Sequence, residues 1–408
     1  MKVGFGTCRP ETWYFWQFAS DNFYRSKTKC VLHSFSSASF VLSRRFLLKS
    51  SASALGLSMI NRGRFSLFAK DVPEYSARAV DLVQRSTVID MLGLLTLDYR
   101  KMSAWQVQPG RFQPADFQRL KNSGITVFYP AVGYTVGDIY TETSRDIMGW
   151  NSFLTAHPEE FLRVDGAGDF ERAKALGKIG ILIGQQNSVH FRTLADVDFF
   201  YGVGQRVSQL TYTGNRIGGG SSDAHDTGLS QYGAQVVERM NQLGMAIDIS
   251  HCGDRTTMDA IVASRRPVLV THSNCRALVP AARCKTDETI RAMASKGGVM
   301  GITMVRGFVR AGGPATIENV LDHIDHVVGL AGIEHVGVGS DVDLDGRDVH
   351  PIRKYDLDGI DYAKKIYDLT EGLVRRRYSN RNIELILGGN FQRALAEAWT
   401  PATSPLPL

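Results

Sequence analysis

Two stretches decide the architecture: Met245-Ala246-Ile247-Asp248-Ile249-Ser250-His251 and Pro267-Val268-Leu269-Val270-Thr271-His272. Each is an apolar, β-branched run too short for a helix, and each ends in histidine. The first is preceded by Gln231 to Leu243, with apolar residues at three-to-four spacing and a closing Gly244. Between the two lies a second helical segment, Arg255 to Ser264. Strand, helix and strand in this rhythm are the unit of a parallel sheet.

Working outward, the same rhythm yields eight strands: Thr87 to Asp90, Ile125 to Val132, Ile179 to Gly184, Val207 to Tyr212, Met245 to Ser250, Pro267 to His272, Val299 to Thr303 and His335 to Asp341. Further helices are expected at Pro114 to Asn122, Asp287 to Ser295, Ile317 to Leu330, Tyr362 to Arg377 and Phe391 to Trp399, with a polar loop from Asp341 to Asp361. Eight βα units predict an α/β fold, a closed (β/α)8 TIM-like barrel, and such barrels carry their chemistry at the carboxyl ends of the strands.

Those ends are informative. The fifth and sixth strands close on His251 and His272, and the eighth closes on Asp341. A lone histidine at a strand end is ordinary, but two on neighbouring strands with an aspartate on the same rim form a set. Imidazole and carboxylate are ligand types for zinc, and a catalytic zinc keeps three protein ligands and one open position. His251, His272 and Asp341 supply that number. Water on such an ion can attack a polarised amide carbonyl.

Composition excludes other classes. The chain has 408 residues and a net charge of +6, yet residues 1–70 hold eleven Lys or Arg against Glu11 and Asp21, which leaves 71–408 with 36 basic and 39 acidic residues. The part expected to fold is mildly acidic, so a nucleic-acid partner is not expected. The cysteines Cys8, Cys30, Cys252, Cys275 and Cys284 make no disulfide framework. Cys252 and Cys275 sit close in sequence to the two histidines, but neither spacing matches a chelating motif.

The N-terminus reads as an address. Ser43-Arg44-Arg45-Phe46-Leu47-Leu48-Lys49 precedes a weakly apolar run from Ala52 to Ile60, the layout of a twin-arginine export signal. The apolar run is too short to span a bilayer. The expected organisation is an unstructured or non-native upstream segment 1–42, a signal peptide 43–70, one barrel domain 71–400 and a frayed tail 401–408. The expected location is periplasmic or secreted, with the twin-arginine machinery as a partner and no stable membrane span.

From about Val83 to Leu395 the sequence resembles the membrane dipeptidase (renal dipeptidase) family. The resemblance rests on Gly228-Leu229-Ser230, Asn241-Gln242-Leu243-Gly244-Met245, Asp248-Ile249-Ser250-His251 and Thr271-His272-Ser273-Asn274-Cys275-Arg276-Ala277-Leu278. Leu210-Thr211-Tyr212 with Asn215, Gly337-Val338-Gly339-Ser340-Asp341 and Gly388-Gly389-Asn390-Phe391 extend it. It implies a metal-dependent hydrolase barrel, two zinc ions, cleavage of dipeptides and frequent homodimers. It further implies that His251 and His272 bind the second metal, that Asp341 handles the proton of the attacking water and that Arg276 grips the substrate carboxylate, with Tyr212 and Asn215 at the substrate.

The departures cluster. The family carries His-x-Asp after the first strand, where this chain has Leu92 and Leu94, and a bridging glutamate after the third strand, where it has Gln186. A family aromatic pair after the seventh strand is replaced by Met304 and Val305. Leucine cannot coordinate, and an amide oxygen brings no charge to hold a second dication. Asp90, His190 and His225 are the residues whose type could compensate. The expectation is therefore one zinc ion per chain and hydrolysis of a dipeptide-like amide, with a peptide-like natural product or cell-wall fragment as a further candidate substrate. The alternative is a periplasmic binding or accessory protein that kept the barrel and lost turnover.

Overall fold

The segment around Gly244 shows how local chemistry lays down a unit. Ser230 caps the helix Gln231–Leu243 by accepting the Gly233 amide, and Gly244 ends it at φ 77°. A side chain at Gly244 would be strained by that φ and would meet the Trp399 carbonyl at 2.2 Å. The chain then turns directly into the strand Ala246–Asp248. This computed structural model describes residues 75–346 and 355–402, so the expectations for 1–42 and 43–70 lie outside the described residues, as do most of the C-terminal tail and the middle of the loop after the last strand.

Ten parallel strands form one sheet: β1 Ile89–Asp90, β2 Val127–Phe128, β3 Phe161–Arg163, β4 Ile179–Ile181, β5 Gly184–Gln185, β6 Val207–Gln209, β7 Ala246–Asp248, β8 Val268–Ser273, β9 Val299–Ile302 and β10 Val336–Val338. Their order is β3-β4-β2-β1-β10-β9-β8-β7-β6-β5. Strands β4 and β5 belong to one continuous segment. Its first half pairs with β2 and its second half with β6, and a bridge from Val132 to Gln185 spans the join. The ends of the sheet are thereby brought together, and the ring has the eight members expected. Strand β3 is an addition, laid outside the ring against β4.

The helices Pro114–Asn122, Gln231–Leu243 and Asp287–Ser295 have the expected bounds, and Asp254–Ala263 and Ile317–Ala331 differ by a residue. The expected Tyr362–Arg377 helix is a 3-10 turn, Tyr362–Lys364, followed by Lys365–Arg375. Helices at Tyr99–Val107, Ile139–Ala156, Gly168–Ala175 and Leu194–Gly202 were not anticipated. No described helix is long and apolar enough to cross a membrane.

Helix Asn390–Ala398 packs on β7, β9 and β10. Phe391 lies over Gly337 at the start of β10, and Trp399 donates from Nε1 to the Arg206 carbonyl just before β6. The amino-terminal mouth of the barrel is covered there, which leaves the opposite rim for function. On that rim, Asp90 at the end of β1 and Lys365 form an ion pair of 3.2 Å with both side chains fully buried. Asp90 also accepts the Ser340 amide and hydroxyl, and Lys365 donates to Ser340 Oγ and the Val342 carbonyl. These bonds tie β1, β10 and the helix Lys365–Arg375 together.

Candidate functional site

The strongest organisation on the carboxyl rim lies between β7 and β8. Asp248, buried at the end of β7, accepts the Ser250 amide and hydroxyl at 2.9 and 2.5 Å, and the Thr271 amide and hydroxyl at 3.1 and 2.7 Å. Burial pushes its carboxyl pKa up, while the hydrogen bonds from Ser250 and Thr271 oppose that shift. Thr271 Oγ1 lies 2.8 Å from His272 Nδ1. Since the threonine proton goes to Asp248, the histidine must donate from Nδ1 to the hydroxyl, which leaves the lone pair on Nε2. This chain of carboxylate, hydroxyl and imidazole orients His272 in the manner of outer-shell partners of metal-ligating histidines.

Space for it comes from two glycines. A Cβ at Gly301 or Gly339 would fall 2.1 or 1.8 Å from the Thr271 carbonyl oxygen. Only glycine lets β9 and β10 approach the residue that aims His272.

His272 Nε2 points at His251 Nε2, 3.0 Å away. Burial first, then Arg283, His272 and Lys285, push the His251 pKa well below the ordinary value, so the ring is held neutral. Two neutral imidazoles cannot face each other with bare lone pairs, so the contact calls for a proton or a cation between the two nitrogens. A separation of 3.0 Å is close to the roughly 3.3 Å spanned by two nitrogens about 2.05 Å from a tetrahedral zinc. The Tyr212 ring stacks on His251 with centroids 4.1 Å apart, and a Cβ at Gly133 would strike that ring at 2.5 Å. Tyr212 is thus wedged between β2's loop and His251.

A residue that sequence reasoning passed over completes this side. Arg283 is buried, donates to the Ser250 and His272 carbonyls at 2.6 and 2.7 Å and has an Nε without a hydrogen-bond partner. Burial lowers its pKa, and Asp341 and then Asp248 oppose that shift, which places its guanidinium in the field of both carboxylates. Asp341 itself sits just past β10 at φ 57°, its amide bonded to the Leu92 carbonyl. That left-handed backbone is tolerated by aspartate at a cost of about 1 kcal/mol or more.

The other expected site residues are placed as follows. Arg276 turns its guanidinium onto Asp254, at 2.5 and 2.8 Å, and onto the Ala282 and Cys284 carbonyls. Asn215 holds a turn, donating to Asn187 and the Leu210 carbonyl and accepting the Ile217 amide. Gln186 donates from Nε2 to the Ala131 carbonyl. Leu92 is fully buried and Leu94 nearly so. Of the residues that could compensate, Asp90 is paired with Lys365, His190 is buried against Gln205 and His225 is exposed. Cys252, Cys275 and Cys284 are buried free thiols, and burial raises the pKa of each.

Among the described residues no three His, Cys, Asp or Glu side chains group together as a metal site. His251 and His272 fit one zinc by ligand type and spacing, and supply two protein ligands to it.

Comparison with known proteins identifies the family and the fold. The family profile described as "Membrane dipeptidase (Peptidase family M19)" matches residues 76–404. An uncharacterized dipeptidase of Schizosaccharomyces pombe is 34% identical over 229 residues, 53% of this chain and 52% of that protein. Dipeptidase tcpJ of Claviceps purpurea is 30% identical over 243 residues, 58% and 55% of the two chains. The match thus spans about half the length of these curated relatives. Among solved structures, an amidohydrolase from Pseudomonas aeruginosa superposes with a TM-score of 0.69 at 27% identity, covering 79% of this chain and 99% of that one. A metallo peptidase from Rhodobacter sphaeroides, liganded with a phosphinate mimic of the dipeptide L-Ala-D-Ala, shares the fold at a TM-score of 0.65 and 18% identity, covering 76% and 99%.

Proposed function

Since the chain belongs to the membrane dipeptidase family, M19, we propose that it is a dipeptidase-like hydrolase that cleaves a small carboxylate-bearing amide with one zinc ion, held by His251 and His272. The observation that carries this reading is the pair of Nε2 atoms 3.0 Å apart, one of them aimed by Thr271 and Asp248. Zinc bound there would supply Lewis-acid polarisation of a carbonyl and a water of lowered pKa.

The protein's own groups account for the rest. Arg283 is the cation that receives the substrate carboxylate, because its planar fork suits that group and its Nε is unpartnered. Arg276, assigned that task from sequence, is already engaged with Asp254. Asp341, in electrostatic range of Arg283, is the carboxylate that accepts the proton of the attacking water and returns it to the leaving amine. Tyr212, stacked on His251, keeps that ring in place and borders the reacting carbonyl, while Gln186, bonded to Gln209 and Ala131, lies beyond β6 on the same rim. Export through the twin-arginine route to the periplasm, and pairing into a homodimer, belong to the same proposal.

The test is elemental analysis of the purified protein together with turnover of a dipeptide panel. One equivalent of zinc, lost with turnover in His251→Ala and in His272→Ala, is the expected result. Activity that survives both substitutions would refute the assignment. A second reading is favoured by the convergence of only two ligands among the described residues: a binding protein that retains Arg283 and has no turnover. Metal-free protein that binds dipeptides and hydrolyses none would select it.

A further inference from the structure

One loop reaches both sides of His251. Between Cys275 and Lys285 the chain leaves β8 and folds back on itself, the Lys285 amide donating to the Asn274 carbonyl and the Arg276 amide to the Lys285 carbonyl. Two of its side chains then run inward to the turn after β7. Arg283 donates to the Ser250 carbonyl at 2.6 Å, and Lys285 donates from Nζ to the Cys252 carbonyl at 3.0 Å. The loop thereby grips the residues immediately before and after His251. The His251 carbonyl is taken from another direction, by the Ser221 amide at 2.7 Å, so three successive carbonyls are held by groups outside the turn.

A lysine is not what stability alone would place there. Lys285 and Lys365 are both fully buried, but Lys365 faces the Asp90 carboxylate at 3.2 Å. The described partners of the Lys285 ammonium are neutral: the Cys252 carbonyl and, at 3.2 Å, Thr257 Oγ1. Burial pushes its pKa down to about 8; Cys252, Asp254 and Asp248 oppose the shift and Arg283 adds to it. A buried ammonium with no carboxylate against it costs stability, and an apolar side chain of similar length would not carry that cost. Nor does the Cys252 carbonyl lack a local donor, since Thr257 Oγ1 lies 3.3 Å from it. That bond differs in kind. Thr257 belongs to the helix Asp254–Ala263, which continues directly from the turn, so it moves with the turn. Lys285 ties the carbonyl across to the loop that carries Arg283.

We infer that Lys285 is a positioning residue for His251, a cross-link between the turn that carries this histidine and the loop that carries Arg283, present at some loss of stability. Its consequence for the metal rests on the zinc reading above. Without the cross-link the turn tilts, His251 Nε2 leaves its place 3.0 Å from His272 Nε2, and the pair chelates one ion less well. Charge alone acts the other way. Removing a cation from the neighbourhood of a dication favours the dication, so weaker zinc binding after the loss of Lys285 reports a displaced ligand and not a changed field.

The experiment compares the full-length wild type with Lys285→Met and Lys285→Gln. Zinc affinity is read by competition with a chromophoric chelator, stability by thermal melting. Lys285→Met removes the donor and the charge; Lys285→Gln removes the charge and keeps an N–H for the Cys252 carbonyl. The expected result is that Lys285→Met melts at or above the wild-type temperature and binds zinc about tenfold or more weakly, while Lys285→Gln recovers most of the affinity. Unchanged or tighter zinc binding by Lys285→Met overturns the inference. A lower melting temperature or loss of folding in that variant also overturns it, because Lys285 would then belong to the frame of the barrel. Wild-type protein that binds no zinc removes the zinc reading but not this inference, which crystals of the metal-free proteins then decide. A His251 to His272 separation wider in Lys285→Met by more than about 0.5 Å upholds it, and an unchanged separation overturns it.

Discussion

Acidification should destabilise the barrel through His190, a residue remote from the proposed chemistry. Its side chain is fully buried, with the rings of Phe191 and Phe200 at 4.1 and 4.5 Å and Nε2 3.0 Å from Gln205 Oε1. Burial lowers its pKa from the ordinary value of 6.5 to about 3, with the Gln205 hydrogen bond only partly opposing. Between those two values the unfolded chain binds the proton and the native chain does not. The stabilisation from this histidine is therefore complete above about pH 6.5 and is lost as the pH falls toward 3. Between pH 7 and pH 5 the loss is about 2 kcal/mol, at about 1.4 kcal/mol per pH unit once the unfolded histidine is fully titrated.

The assay is urea unfolding at both pH values for the wild type and for His190→Gln, which keeps a polar partner for Gln205 but cannot titrate. The half-buried carboxyls of Asp146 and Asp368, raised to about 6, act in the opposite direction over the same interval, since the native state takes up their protons. They are present in both proteins and cancel in the difference. The wild type should lose about 2 kcal/mol more than the variant. Equal losses would refute the argument that burial, rather than the Gln205 contact, governs this residue.

Other outcomes follow from the same structure. Lys365→Met strands the Asp90 carboxylate in the core and should cost about 3 to 5 kcal/mol in urea unfolding; a loss under 1 kcal/mol would mean that Ser340 alone satisfies it. Thr271→Val removes the hydroxyl that orients His272 and should weaken zinc affinity by roughly 10- to 100-fold in a chelator competition, with little change in melting temperature. Arg283→Lys should raise KM for carboxylate-bearing amides by about tenfold or more, while Arg276→Lys changes stability by under about 1 kcal/mol and leaves KM alone, because its ion pair is at the surface. Dialysis against a chelator should abolish turnover, and one equivalent of zinc should restore it.

What could be read in advance was what local chemistry fixes. The helix Gln231–Leu243 was legible because Ser230 and Gly244 mark its ends, and the two histidines because strand ends on one rim must converge once the ring closes. Strand β3 was not, since Phe161–Arg163 is three residues long and takes its partner from β4, far too short a run to show a period. The long helix Ile139–Ala156 buries only Thr143, Ile147, Trp150 and Phe153, a sparse stripe in a polar sequence. The arginines illustrate a different limit. Arg276 and Arg283 share one loop after His272, and sequence spacing alone does not say which turns inward. The answer comes from the Cys275 to Lys285 bridge, which folds the loop back so that Arg276 meets Asp254 and Arg283 meets the histidines.

The seam between β4 and β5 has a mechanical meaning. A ring of strands resists opening as a hoop does, and a hoop is as strong as its weakest joint. Most neighbours share two- or three-residue ladders, and across the seam one covalent segment is held on both sides: the Leu182 amide donates to Phe128 and the Gln186 amide to Val132, while Ile183 accepts the Arg206 amide ahead of β6. Tension in the ring is therefore carried through the peptide bonds of Leu182 and Ile183 as well as through hydrogen bonds. Gln186 begins where that segment ends, its amide bonded to Val132 and its carbonyl to Gln209, so one wall of the site is anchored to both of its neighbours in the ring.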